Sequence, residues 1–99
     1  MARFHVYPNP DGAGYLLDVQ ADLLDHLNTR VVIPLLPLDT APSPANTLNP
    51  VFTIEGNAVV MVSQFLAAIP AQILKVPVAS LSGSRTEITA ALDLLFQGF

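Results

Sequence analysis

The chain contains no cysteine and no tryptophan. The lack of cysteine excludes disulfides, thiolate nucleophiles and soft metal sites, and it is typical of a cytoplasmic protein. The first ten residues, "MARFHVYPNP", lack the charged and then apolar pattern of a signal peptide. No stretch reaches the roughly 18 apolar residues that a membrane span requires. We therefore expect a cytoplasmic protein with no membrane partner.

Charged residues are scarce as well. They make up 12% of the 99 residues, about half the share of an average soluble domain. Only four are basic, against eight acidic ones, so the chain lacks the positive surface that nucleic-acid binding requires and we expect no direct nucleic-acid partner. Hydrophobic residues make up 52%. This excess predicts apolar surface buried between subunits; the alternative is an unusually apolar monomer with nine prolines.

The length fits one domain, residues 1–99, and its first half is patterned as strands. In "RFHVYP" Phe4 and Val6 alternate with His5 and Tyr7, which predicts a half-buried strand. The turn-forming "NPDGAG" then leads to a second strand, "YLLDVQ", so the two predict an antiparallel hairpin. "ADLLDHLNT" is either a helical turn or an irregular loop with exposed leucines. "RVVIPL" is a third strand, in which Pro34 predicts an edge position or a bulge.

The second half combines strands with one helix. Residues 37–50 hold four prolines and form a loop, and Gly56-Asn57 predicts a two-residue hairpin turn between two further strands. "FLAAIP" and "ILKVPVASL" are short extended pieces. Ser84 and Glu87 match a capping box at the start of a helix from about Arg85 to Phe96, which Gly98 ends. The core-facing stripe of this helix is Ile88, Ala91, Leu92 and Leu95.

These elements predict a mainly β, α+β fold, with a strongly curled antiparallel sheet closed by one C-terminal helix. A small barrel or a two-sheet domain suits the pattern better than a parallel α/β fold, which needs helices between its strands.

No pattern specifies catalysis, a metal or a cofactor. The two histidines, His5 and His26, lie in different predicted elements, on a strand face and in a solvated loop. Asp18, Asp22 and Asp25 lack the alternate spacing and the turn glycine of a calcium loop, so a solvated acidic loop is the preferred interpretation. None of the serines lies in a nucleophile elbow. The functional candidates are surfaces, above all the apolar end "LLFQGF", because chain ends are usually polar and frayed.

Three stretches together resemble the CcdB family of bacterial toxins from toxin–antitoxin pairs: "FHVY", "LLDVQADLLDHLNTRVVIPL" and "ALDLLFQGF". "LNPVFTIEG" and "VVMVSQFLAAIP" follow in the family's order, so the similarity covers essentially the whole chain. The resemblance implies a homodimer with an SH3-like barrel, a small side sheet and a C-terminal helix. It also implies a toxin that is not an enzyme and uses no cofactor. Such toxins bind the A subunit of DNA gyrase, trap it on cleaved DNA, and are neutralised by a cognate CcdA-like antitoxin.

By position, the resemblance assigns gyrase contacts to seven residues: Leu23, Leu24, Asp93, Phe96, Gln97, Gly98 and Phe99. A well-studied member has tryptophan where this chain has Gln97, which offers no flat ring to stack on an arginine. Phe99 either replaces part of that surface or folds back as a cap on the helix. The acidic "NPDGAG" loop, which is more basic in that member, also alters the expected antitoxin contacts.

Two other functions are compatible with the sequence. One is a dimeric module that binds the antitoxin but no longer poisons gyrase, as Gln97 would allow. The other is a ribonuclease toxin on the same fold, against which the small number of basic residues argues.

Overall fold

The computed structural model describes residues 2–99. The strands are β1 His5–Pro8, β2 Tyr15–Asp18, β3 Thr29–Pro37, β4 Val51–Ile54, β5 Asn57–Met61, β6 Ala67–Pro70 and β7 Ala79–Ser80. One α-helix, α1, spans Arg85–Gln97. Short 3-10 turns lie at Asp22–Leu24, Ser63–Phe65, Ala71–Ile73 and Ser82–Ser84. All strand pairs are antiparallel, and they form a nearly closed barrel with the helix at the end of the chain, which confirms the predicted fold class.

The sheet runs in the order β4-β5-β3-β2-β1-β7, and β6 branches from it by pairing with β3. The first half of β3 pairs with β6, and its end pairs with β5. The sheet is therefore forked, with a larger curled part and a smaller side part that share β3.

Pro34 lies within β3, which is the central strand and has neighbours on both sides. The β6 partners end at Val32 and the β5 partners begin at Leu35, so Pro34 falls in the gap where β3 changes partner. The missing donor of proline is tolerated in this gap, because no ladder bond to β5 or β6 is needed there. The carbonyl of Pro34 instead accepts a 3.1 Å bond from the N–H of Val62.

The β4–β5 hairpin confirms the predicted strand pair but corrects its turn by one residue. Ile54 pairs with Asn57, so the two turn residues are Glu55 and Gly56 rather than Gly56 and Asn57. Their φ angles are 52° and 81°, as in the type I′ turn that matches the twist of such hairpins. Glycine therefore takes the second turn position, and glutamate adopts the left-handed conformation.

Apolar side chains are buried on both faces of the sheet, in two separate clusters. The larger cluster lies inside the barrel and includes Val6 and Leu17 together with Ile88 of the helix. A second cluster, on the other face, contains Tyr7, Leu16, Val32 and Leu74. The prediction that β1 is half-buried is therefore wrong for Tyr7: both faces of this strand are covered, and the tyrosine is as buried as the valine beside it.

The helix begins and ends close to the predicted residues. Ile88 and Ala91 are buried in the barrel core, while Leu92 and Leu95 are half-buried. The capping box is wrong, because the Ser84 side chain makes no capping hydrogen bond; a 3-10 turn leads directly into the helix instead. Arg85 and Arg3 both place their guanidinium carbons over the Phe4 ring, at 5.4 and 4.7 Å from its centroid. Within residues 2–99, no helix has the length and apolar character needed to cross a bilayer.

Candidate functional site

The C-terminal end of α1 exposes apolar side chains to solvent. Gly98 adopts the left-handed conformation, with φ 81°, and its N–H donates to the Leu94 carbonyl at 3.0 Å, so it closes the helix as predicted. Phe96 is 68% exposed and Phe99 is 84% exposed. Of the two predicted positions for Phe99, the structure therefore has the projecting one, since a ring folded back as a cap would be largely covered.

Asp93 and Gln97 are also exposed, one turn apart on the same helix. Together with Phe96, Gly98 and Phe99 they form what we call the tail surface. Two phenylalanine side chains exposed to water are unfavourable, because apolar area left exposed forfeits about 25 cal/mol per Å². An apolar end of this kind is typical of a surface that another molecule covers.

The second apolar feature is the leucine loop, residues 21–28, which includes the 3-10 turn Asp22–Leu24. Leu23 is 86% exposed, and Leu24 and Leu27 are partly exposed. The sequence allowed either a helical turn or an irregular loop with exposed leucines. The structure has a helical turn, and its leucines are exposed.

Polar contacts fix the backbone of the leucine loop although its leucines are exposed. The backbone N–H of Arg3 donates to Asp22 Oδ1 at 2.8 Å, and Arg3 Nε donates to the Val19 carbonyl at 3.1 Å. Gln20 is buried; its Nε2 donates to the Leu24 carbonyl at 3.0 Å, and its Oε1 accepts from the N–H of Val31 at 3.0 Å. The loop is thus tied to both the start of the chain and β3. Rigid presentation reduces the entropy that binding must overcome.

A buried ion pair joins the two residues that flank this loop in sequence, Asp18 and Arg30. Arg30 Nε donates to Asp18 Oδ2 at 2.8 Å, and Nη2 lies 2.7 Å from the same oxygen. Asp18 Oδ1 accepts the backbone N–H of Gln20 at 3.1 Å, which links the pair to the loop. Burial raises the pKa of the Asp18 carboxyl, although Arg30 and the Gln20 N–H oppose this shift. Arg30 Nη1 has no hydrogen-bond partner among residues 2–99.

This pair corrects one prediction. Asp18 is fully buried, so the interpretation of Asp18, Asp22 and Asp25 as one solvated acidic loop is wrong for Asp18; the other two carboxylates are exposed. The three do not converge, and no cluster in the described part of the chain has the residues to hold a metal. His26 is exposed in the leucine loop, as predicted.

The two apolar features lie on different elements, and within residues 2–99 no hydrogen bond joins the leucine loop to the tail surface. The helix packs instead on the Ser63–Phe65 turn and on the turn that precedes it. Sequence reasoning missed the residues that hold the leucine loop, Arg3, Gln20 and Arg30. The available signal was the isolated Arg30 at the start of an apolar strand, since a lone cation in such a place requires a buried partner.

Comparison with known protein families matches the family described as "CcdB protein" over residues 3–98. The chain belongs to the CcdB family. The match spans the whole described fold, from the residues before β1 to the glycine that ends α1.

Membership of the CcdB family places the chain among the toxins of toxin–antitoxin pairs, a class of proteins that have antitoxin partners. The family is one of non-catalytic toxins. The exposed tail surface and the leucine loop are accordingly candidates for protein contacts rather than for chemistry.

Proposed function

We propose that this CcdB protein acts as a homodimer that binds the A subunit of DNA gyrase and traps gyrase on cleaved DNA, without itself catalysing a reaction. A cognate CcdA-like antitoxin neutralises it in the cytoplasm. The observation that carries the proposal is the projection of Phe96 and Phe99 from the end of α1, both largely exposed beside Gln97 and Gly98. An acidic protein can act on a DNA enzyme in this way without contacting DNA.

The proposed gyrase contacts are the seven exposed or partly exposed residues of the two features: Leu23, Leu24, Asp93, Phe96, Gln97, Gly98 and Phe99. Aromatic side chains dominate many interfaces because they bury a large area with few rotatable bonds. A well-studied family member has its aromatic anchor directly before the glycine, whereas this chain has Gln97 there and an aromatic residue, Phe99, directly after the glycine. Phe99, which extends beyond the left-handed Gly98, supplies the ring that Gln97 lacks.

Equilibrium binding to the purified gyrase A protein tests this proposal. Replacing Phe99 by alanine removes the proposed anchor, so the affinity should fall about 30-fold, equivalent to about 2 kcal/mol. Leu38→Ala is the control, since Leu38 is 46% exposed, lies outside the seven proposed contacts and follows the end of β3 opposite to the leucine loop; its affinity should be unchanged. Equal loss in both variants, or no binding by the wild-type dimer, would rule out the tail surface as the gyrase contact.

A second function is favoured by one specific observation, the polar side chain of Gln97 on the exposed end of the helix. In that alternative the dimer keeps its antitoxin-binding surface but no longer poisons gyrase. Tight binding of the cognate antitoxin together with unchanged growth of cells that overproduce the protein would favour it. Growth arrest that the antitoxin relieves would favour the toxin.

A further inference from the structure

Strand β4 forms one of the free edges of the sheet. β4 is the terminal strand in the order of the sheet and pairs only with β5. Phe52 and Ile54 point into the barrel core, whereas Val51 and Thr53 are exposed. An exposed strand edge offers a row of free N–H and carbonyl groups to another chain.

The register identifies which backbone groups are free. Ile54 and Asn57 flank the two-residue turn, so they form a hydrogen-bonded pair, and such pairs alternate along an antiparallel ladder. The 2.9 Å bond from the Met61 N–H to the Pro50 carbonyl agrees with this alternation. The N–H and carbonyl groups of Val51 and Thr53 therefore point away from β5. Within residues 2–99, the turn and loop hydrogen bonds do not use them.

A groove of about 740 Å³ adjoins the start of this edge, at Val51. One wall is the loop from Pro44 to Val51, and the other is the first turns of α1, with Thr86, Glu87 and Ala90. This volume is within the usual range of ligand pockets, about 300–1,000 Å³. The groove is therefore large enough for one or two side chains at the end of an extended peptide that pairs with β4 and passes Val51.

The acidic character of the groove favours a peptide with a basic side chain. Glu87 is exposed in the groove wall, and the only ion pair among residues 2–99 is that between Asp18 and Arg30, so its carboxylate has no ionic partner. The groove contains no basic residue, and the chain carries a net charge of −4. A lysine or arginine side chain would find an opposite charge here, while an acidic peptide would be repelled.

We propose that the free edge of β4 and this groove form a docking site for an extended segment of a partner protein, which adds as a strand beside Val51 and Thr53 and places a basic side chain against Glu87. Strand addition of this kind draws affinity from main-chain hydrogen bonds and specificity from alternate side chains. The site is separate from the tail surface, since Glu87 and Gln97 are ten residues apart along the helix, or about 15 Å. It shares no residue with the proposed gyrase contacts.

The first test uses three synthetic peptides and the amide spectrum of the ¹⁵N-labelled, full-length protein. The probe is acetyl-Thr-Val-Arg-Val-Thr-amide. One control replaces its arginine by glutamate. Another carries N-methyl groups on the alternate peptide nitrogens that would face β4. The arginine peptide should shift the amide signals of Val51, Thr53 and Glu87, and both controls should bind at least several-fold more weakly. Equal binding by the N-methylated peptide, shifts confined to other residues, or no shifts would overturn the proposal.

Variants of the protein test the same site independently. Glu87→Gln should weaken the arginine peptide about two- to fivefold, as expected for one exposed charge pair. Asp11→Asn makes the same charge change at an exposed position outside the groove and should leave the affinity unchanged. Thr53→Pro removes an outward N–H from an edge strand that tolerates proline, and should abolish binding. Equal effects of the two charge variants would contradict the proposal even if the proline variant failed to fold.

Discussion

Gly14 offers a quantitative test of the packing between β2 and β3. Its φ is +89°, a conformation that costs a residue with a β-carbon about 1–2 kcal/mol. A β-carbon at this position would also clash with the backbone carbonyl oxygen of Leu35. Leu35 cannot easily move away, because it pairs with Tyr15 on one side and Met61 on the other.

Gly14→Ala should therefore lower the free energy of unfolding by about 2–5 kcal/mol, the sum of the conformational cost and an overpacking cost of about 1–3 kcal/mol. For a domain of this size, each kcal/mol corresponds to about 4–8 °C in Tm. Urea unfolding followed by circular dichroism measures the change. The protein concentration must be fixed, because the stability of the proposed homodimer depends on it.

Two other glycines separate the contributions. Gly56 has φ +81° with open space around it, so Gly56→Ala should show the conformational cost alone, about 1–2 kcal/mol. Gly12 also has open space and no left-handed φ, so Gly12→Ala should change stability by about 0.5 kcal/mol or less. If Gly14→Ala were no more destabilising than Gly56→Ala, the close approach of Gly14 to β3 would be refuted.

Three further predictions concern the core, the start of the chain and the effect of pH. Ile88→Ala should lower the free energy of unfolding by about 2–5 kcal/mol in urea, because it empties a fully buried site in the barrel; a loss below about 1 kcal/mol would contradict this. Arg3→Met removes the bond to the Val19 carbonyl, so hydrogen exchange in the leucine loop should quicken while the helix is unaffected. Burial raises the pKa of Tyr7 above 10.0; the folded state then holds this proton more tightly than the unfolded state, so stability should fall as the pH rises above 10, and less so in Tyr7→Phe.

The fold was largely predictable because its elements carry local signals. Alternation and β-branched runs located the strands, and the spacing of Ile88 and Ala91 located the helix. The errors arose where two local solutions compete. Gly56 fits either position of a type I′ turn, and the pairing of Ile54 with Asn57 decides between them. Ser84 had the right neighbour for a capping box, but the preceding 3-10 turn sets its conformation.

Burial on the second face of the sheet was not predictable from the pattern of one strand. Tyr7 is covered by Leu74 and Ile69, which lie more than sixty residues away in sequence. The Asp18–Arg30 pair is likewise a product of the β2–β3 pairing, and neither residue has a local motif. Such contacts depend on tertiary structure rather than on periodicity.

The exposed residues of the candidate site were the easier part. Leu23 and Phe99 were recognisable as candidates in the sequence, but whether Phe99 projects or caps the helix was left open there, and the exposure of both residues is seen only in the structure. The polar network that fixes the leucine loop was not recognisable, because Gln20 and Arg3 act through backbone groups that any residue provides.

The most direct test of the central proposal is a DNA-cleavage assay with supercoiled plasmid, purified gyrase and ATP. It compares the intact protein with a variant that lacks Gln97, Gly98 and Phe99, after circular dichroism has shown both to be folded. We predict that linear DNA covalently linked to gyrase accumulates with the intact protein alone. Equal cleavage by the truncated variant would contradict the role of the chain end, and no cleavage by the intact protein would contradict gyrase poisoning itself.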